Sequence, residues 1–156
     1  MDMIPLIIVA AISGGTTLLF AVLGGILNEK AGIINLGTEG IMLVGAVMAA
    51  IMFIQTQNLL LTLGVTIFAS GILGLVHAFL CITLRTNQIV SGLAITLFGS
   101  GFSAYIGKSV AGMPIPVNIP TLDITFINSI PYIGPIFSGL NMFILSSIAL
   151  SILLYV

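Results

Sequence analysis

"LNEKAGIINLGTEGIMLVGA", residues 27–46, sets Glu29, Lys30 and Glu39 among glycines in a chain that holds only 3 basic and 4 acidic residues. Outward from this stretch the sequence reads as hydrocarbon. Of the 156 residues, 59% are hydrophobic and 4% charged, where a soluble domain carries about 25% charged residues. No soluble fold of this size hides so much apolar surface, so most of it must face lipid or other membrane helices. Barrel strands would alternate polar and apolar residues over about ten positions, whereas these runs are apolar on every side. The expectation is an all-α fold, a polytopic bundle of transmembrane helices.

A spanning helix needs about 20 mostly apolar residues. Five segments come close, at residues 4–27, 37–54, 59–84, 89–106 and 136–156. Polar punctuation divides them: "NEKAG" from Asn28, "QTQN" from Gln55 and "RTNQ" from Arg85. The second span therefore follows a glycine-rich break. Residues 107–135 hold every proline except Pro5, and prolines remove donors and fix the backbone, so this stretch is expected to be an extended loop on one membrane face. Lys30 and Arg85 follow the first and third spans and share a face, with Lys108 on the other. Two basic residues against one favour the Lys30 and Arg85 side as cytoplasmic, which leaves the N-terminus and the proline-rich loop extracytoplasmic. "MDMIPLIIVAAISGG" has no basic leading region, so it reads as the opening of the first span rather than a cleaved signal.

Small residues recur at helix-packing spacing, at Ala21 with Gly25, Gly45 with Ala49, Ala46 with Ala50 and Ser70 with Gly74. The pairs Gly14–Gly15 and Gly24–Gly25 are places where the first helix could bend. The lone Cys81 excludes a disulfide framework and reads as a small buried hydrophobe. Nothing resembles a basic nucleic-acid surface. "FSAYIGKS", from Phe102, misses the first glycine of a phosphate-binding loop and ends a membrane span, so ATP binding is not expected of this chain. His77, the one histidine, has no second ligand with which to build a metal site. It reads as a neutral imidazole hydrogen-bonded to a neighbouring helix. "FASG", from Phe68, lacks the glycine of a serine-hydrolase turn, and no nucleophile–base pair assembles. No catalytic residue, metal or cofactor is expected.

Glu39 remains. A carboxylate two residues into an apolar segment is costly unless it is paired or faces water. One reading is local: Thr38 or Asn35 caps the helix that starts here, and Glu39 in its first turn suits the helix dipole. The other is functional: an irregular backbone at membrane depth lines a polar path.

These residues resemble a known family. "GGILNEKAGIINLGTEGIMLVGAVMA", residues 24–49, is similar to the signature of ABC-importer permeases of the branched-chain amino acid and ribose type. It is most like the nucleoside and simple-sugar permeases that work with basic-membrane-protein-type binding lipoproteins. Gly24, Gly25, Asn28, Glu29, Lys30, Gly32, Asn35, Gly37, Glu39 and Gly40 carry the match. In "LRTNQIVSGLAITLFGSG", residues 84–101, Asn87, Gln88, Ser91 and Gly92 fit a second family stretch, and residues 112–137 resemble the external loop of nucleoside-type members.

The resemblance implies one transmembrane domain over 1–156, the N-terminal part of a longer permease in a bacterial inner membrane. It implies a nucleoside-like or sugar solute and no covalent chemistry. The implied partners are a cytoplasmic ABC ATPase, a second permease subunit and an extracytoplasmic solute-binding lipoprotein. Such permeases are usually about twice as long, so a stand-alone channel or oligomeric transporter stays open, and an intramembrane enzyme is the remaining class. The candidate path residues are Asn35, Gly37, Glu39, Gly40, Asn87, Gln88 and Ser91, set at helix starts beside glycines.

Overall fold

The structure is a computed structural model that describes residues 3–114 and 141–155. In chain order it contains α1 (Met3–Lys30), α2 (Thr38–Thr56), α3 (Leu59–Ala78), α4 (Gln88–Gly107) and α5 (Met142–Tyr155). A π-helical turn, Phe79–Thr83, extends α3. No strand occurs among the described residues. Four helices are long and apolar enough to cross a membrane, in agreement with the first four expected spans. The fifth expected span is helical from Met142; residues 136–140 and most of the proline-rich loop lie outside the described residues. α1 is helical through both of its glycine pairs.

The chain divides into two compact units, residues 1–24 with 117–156 and residues 25–116. In the first unit, Ile144 and Ser147 of α5 are fully buried, and the Ser147 hydroxyl donates to the Ile144 carbonyl at 2.7 Å. That bond spares a hydroxyl from facing an apolar environment unpartnered.

The second unit holds the residues singled out above. α1 overruns its expected end by a turn, because Gly32 supplies a left-handed stop at φ +79. The Ile33 N–H then reaches the Asn28 carbonyl and the Gly32 N–H the Glu29 carbonyl, both at 2.9 Å. This paired closure satisfies two of the last carbonyls of the helix, so Glu29 and Lys30 belong to α1, and Lys30 sits where a cation suits the dipole. α3 and α4 start on side-chain caps. Asn58 Oδ1 accepts from the Leu60 and Leu61 N–H groups, and Asn87 Oδ1 from those of Ile89 and Val90.

α2 and α3 are joined by the two residues Gln57 and Asn58, with Gln57 in the left-handed region at φ 52, so the helices run antiparallel. They meet at Gly45, where an added Cβ would stand 2.7 Å from Ser70 Oγ. Of the small residues Ser70 and Gly74, spaced for helix packing, Ser70 packs against α2, while Gly74 faces open space.

α2 and α4 run parallel, since Gly37 abuts Gly92 and Ile95, Gly40 abuts Ile95 and Thr96, and Val47 abuts Gly107. Along this seam backbone touches backbone. A Cβ on Gly40 would lie 2.5 Å from the Ile95 carbonyl oxygen, and one on Gly99 would lie 2.6 Å from the Gly40 Cα. In lipid, where no hydrophobic force draws helices together, such close approach is what packing relies on.

Candidate functional site

Residues 31–37 leave the helix at the head of the parallel pair. Backbone that leaves a helix must have its polar groups satisfied by protein or water, and here α4 supplies three of the bonds. Gln88 Oε1 accepts from the Ile34 N–H at 2.8 Å, and Gln88 Nε2 donates to the Gly32 carbonyl at 3.4 Å. The Thr96 hydroxyl donates to the Leu36 carbonyl at 2.8 Å. Gly92 lets the chain come this near, because a Cβ there would lie 2.8 Å from the Leu36 nitrogen.

The capping expectation is corrected. Gly37 is the boundary residue of α2 and carries no side-chain cap. Asn35 Oδ1 instead accepts from the Gly37 N–H at 2.9 Å, and the Thr38 hydroxyl donates to the Asn35 carbonyl at 3.1 Å. Asn35 thus closes a local turn ahead of the helix, the alternative that Asn side chains offer the backbone. Glu39 lies in the first turn of α2, where its charge suits the dipole. Its side chain is exposed, while Gly37 and Gly40 on either side are buried against α4.

Ser91 faces the other way. It is 5% exposed and its hydroxyl lies 3.0 Å from Nδ1 of His77, itself 3% exposed. His77 is therefore bonded to a neighbouring helix, as its sequence setting suggested, and that helix is α4. On its other side the imidazole meets the sulfur of buried Cys81, 3.7 Å from Nε2. The turn that carries Cys81 is a π-turn, closed by the Leu84 N–H on the Phe79 carbonyl at 3.1 Å. No buried side-chain polar atom among the described residues lacks a partner. His77→Ala should lower unfolding stability by about 2–4 kcal/mol, because it opens a cavity and strands the Ser91 hydroxyl. Ser91→Ala should cost about 1–2 kcal/mol. Thermal unfolding of the detergent-solubilised single and double variants measures both losses, with a double-variant loss smaller than their sum.

The seven candidate residues thus gather at one end of the α2–α4 pair but do different things. Gln88 clasps the break, Asn35 shapes it, Asn87 caps α4, Gly37 and Gly40 admit close packing, Ser91 holds His77, and Glu39 is turned outward. Sequence reasoning missed Thr96 and Gly99. Their signal was a stripe of small residues on one face of α4, at Gly92, Thr96 and Gly99.

The family described as branched-chain amino acid transport system / permease component matches residues 7–156. The chain belongs to that family. Among relatives of this permease, a putative glucose ABC transporter permease, TsgC13 of Haloferax volcanii, is 43% identical over 67% of this chain and 33% of its own length. The guanosine ABC transporter permease NupQ of Bacillus subtilis is 30% identical over 87% of this chain and 46% of its own. The nucleoside ABC transporter permease NupC of Lactococcus lactis is 28% identical over 78% and 41%. The chain spans less than half the length of these curated relatives. No solved structure gives a significant match. The permease is a multi-pass membrane protein of a transporter family, not an enzyme family.

Proposed function

We propose that this chain forms half of the solute path in an ABC importer for nucleosides or similar small polar solutes, with sugars the next choice. The carrying observation is the family match over 7–156, together with 30% identity across 87% of the chain to a guanosine permease. The geometry supports it: a non-helical segment bonded to α4 sits at the head of two parallel apolar helices, and the ionisable Glu39 projects just beyond it. Ionisable groups in membrane segments generally mark solute or ion pathways.

In this reading the chain supplies a path wall and performs no covalent step. A separate cytoplasmic ATPase drives the change of access, a second permease subunit completes the path, and an extracytoplasmic lipoprotein delivers solute. The Lys30 and Arg85 end faces the cytoplasm of a bacterial inner membrane and the N-terminus lies outside. Of the candidate residues, Glu39 is the side chain that meets the solute, while those bonded to backbone build the wall around it.

Uptake of radiolabelled guanosine and glucose into proteoliposomes tests this. Flux should appear only when the remaining permease sequence, the ATPase, the binding protein and ATP are all present, with guanosine preferred. Saturable flux through this chain alone would instead make it a self-sufficient channel or transporter.

A further inference from the structure

The break has more partners on α4 than its own sequence would require. Three bonds cross from α4 to residues 31–37: Gln88 to the Ile34 N–H, Gln88 to the Gly32 carbonyl, and Thr96 to the Leu36 carbonyl. They leave α4 from residues two turns apart, so they restrain the break at both ends. Between them Gly92 holds the backbones in contact, and immediately beyond them Gly40 and Gly99 do the same. A segment held at three points and flanked by backbone contact cannot move apart from the helix that holds it.

We propose that Gln88 and Thr96 are positioning residues that clamp the break to α4, so that the break, the head of α2 and α4 travel as one body through the transport cycle. Neither side chain then touches the solute. Their polar atoms are spent on backbone groups, which also removes those groups from the path. What the clamp positions is Glu39, two residues after Gly37, whose own backbone is wedged against Ile95. The clamp follows from the geometry alone; its consequence for transport rests on the permease reading above.

Thr96 allows a clean test, because valine keeps its shape and removes only the hydroxyl, whereas serine restores it. Gln88→Glu keeps an acceptor for Ile34, and Gln88→Ala removes both bonds. Amide hydrogen exchange over residues 31–37, measured by mass spectrometry on the assembled transporter in nanodiscs, reads the clamp directly. Exchange there should quicken about tenfold in Gln88→Ala and Thr96→Val, the factor expected for one or two lost hydrogen bonds. It should stay near native in Thr96→Ser and fall between native and Gln88→Ala in Gln88→Glu, which keeps one of the two Gln88 bonds, with α3 unchanged in all four.

Guanosine transport should show a raised apparent KM with the maximal rate kept. Solute binds only the correctly placed fraction and, at saturation, draws the rest back to it. A residue serving stability alone would lower the amount of active transporter and leave KM where it was. Unchanged exchange in both Gln88→Ala and Thr96→Val overturns the clamp. Faster exchange with a native KM overturns its positioning role. If Glu39→Gln also transports normally, the path reading has failed and the clamp stands.

Discussion

Alanine at Gly40 or Gly99 should dismantle the α2–α4 pair, while alanine at Gly64 or Gly101 should leave it intact. All four lie in helices, so helix propensity pushes each substitution toward slightly greater stability, by up to about 1 kcal/mol. What separates them is the space beyond the Cα. Nothing lies within 4 Å of a Cβ added at Gly64 or Gly101. At Gly40 the methyl would meet the Ile95 carbonyl oxygen at 2.5 Å and the Thr96 Cα at 2.6 Å, and at Gly99 it would meet the Gly40 backbone.

A flexible side chain can swing away from such a clash, but two helix backbones can only part. Parting costs more than the local strain. Overpacking a well-filled interior costs about 1–3 kcal/mol, and separating the helices also forfeits the dispersion attraction along the whole seam. It pulls the Thr96 hydroxyl from the Leu36 carbonyl as well. The expected loss is therefore about 3 kcal/mol or more, read as failure to recover a monodisperse protein after mild heating in detergent. The two control variants should recover like the native chain. Equal behaviour of all four would mean that the seam is not where the unit gets its stability.

Much of this arrangement could be read from residue types alone. Composition and run length identified the membrane class and four of the helices, since a spanning helix is decided by local apolar content. The break was visible because Gly32, Gly37 and the charges interrupt an apolar run, and glycine is the residue that a left-handed stop requires. His77 was legible as a bonded imidazole because a lone histidine in a span has few other fates.

Partnership was not legible. Small-residue spacing finds faces within one helix, as at Ser70 and Gly74, but not the partner across the seam: Ser70 meets Gly45, and Gly40 meets Gly99. Those pairs are set by how three helices cross, which no local pattern encodes. Gln88 shows the same gap: a glutamine at a helix start looks free to meet a solute, and only the fold reveals two backbone groups of a distant segment within its reach.

Glu39 has two explanations that differ in size, and a substitution separates them. If it serves α2 through the helix dipole alone, removing its charge costs about 0.3–1 kcal/mol of stability and leaves transport at the native rate. If it meets a polar solute, the stake is a hydrogen bond to a charged group, worth about 1.5–3 kcal/mol, or roughly 10- to 100-fold in rate or affinity. The proposed function requires the second. The side chain is exposed at the start of an apolar helix, and its glycine neighbours are packed against α4, so the carboxylate is held outward on a fixed base. Glutamine keeps the shape and one acceptor oxygen but loses the charge that roughly doubles such a bond. Glu39→Gln should therefore lower guanosine uptake about tenfold and Glu39→Ala about 100-fold, while thermal unfolding shifts by no more than about 1 kcal/mol in either. Native uptake by a well-inserted Glu39→Gln protein would assign the residue to the dipole and leave the path without its polar contact.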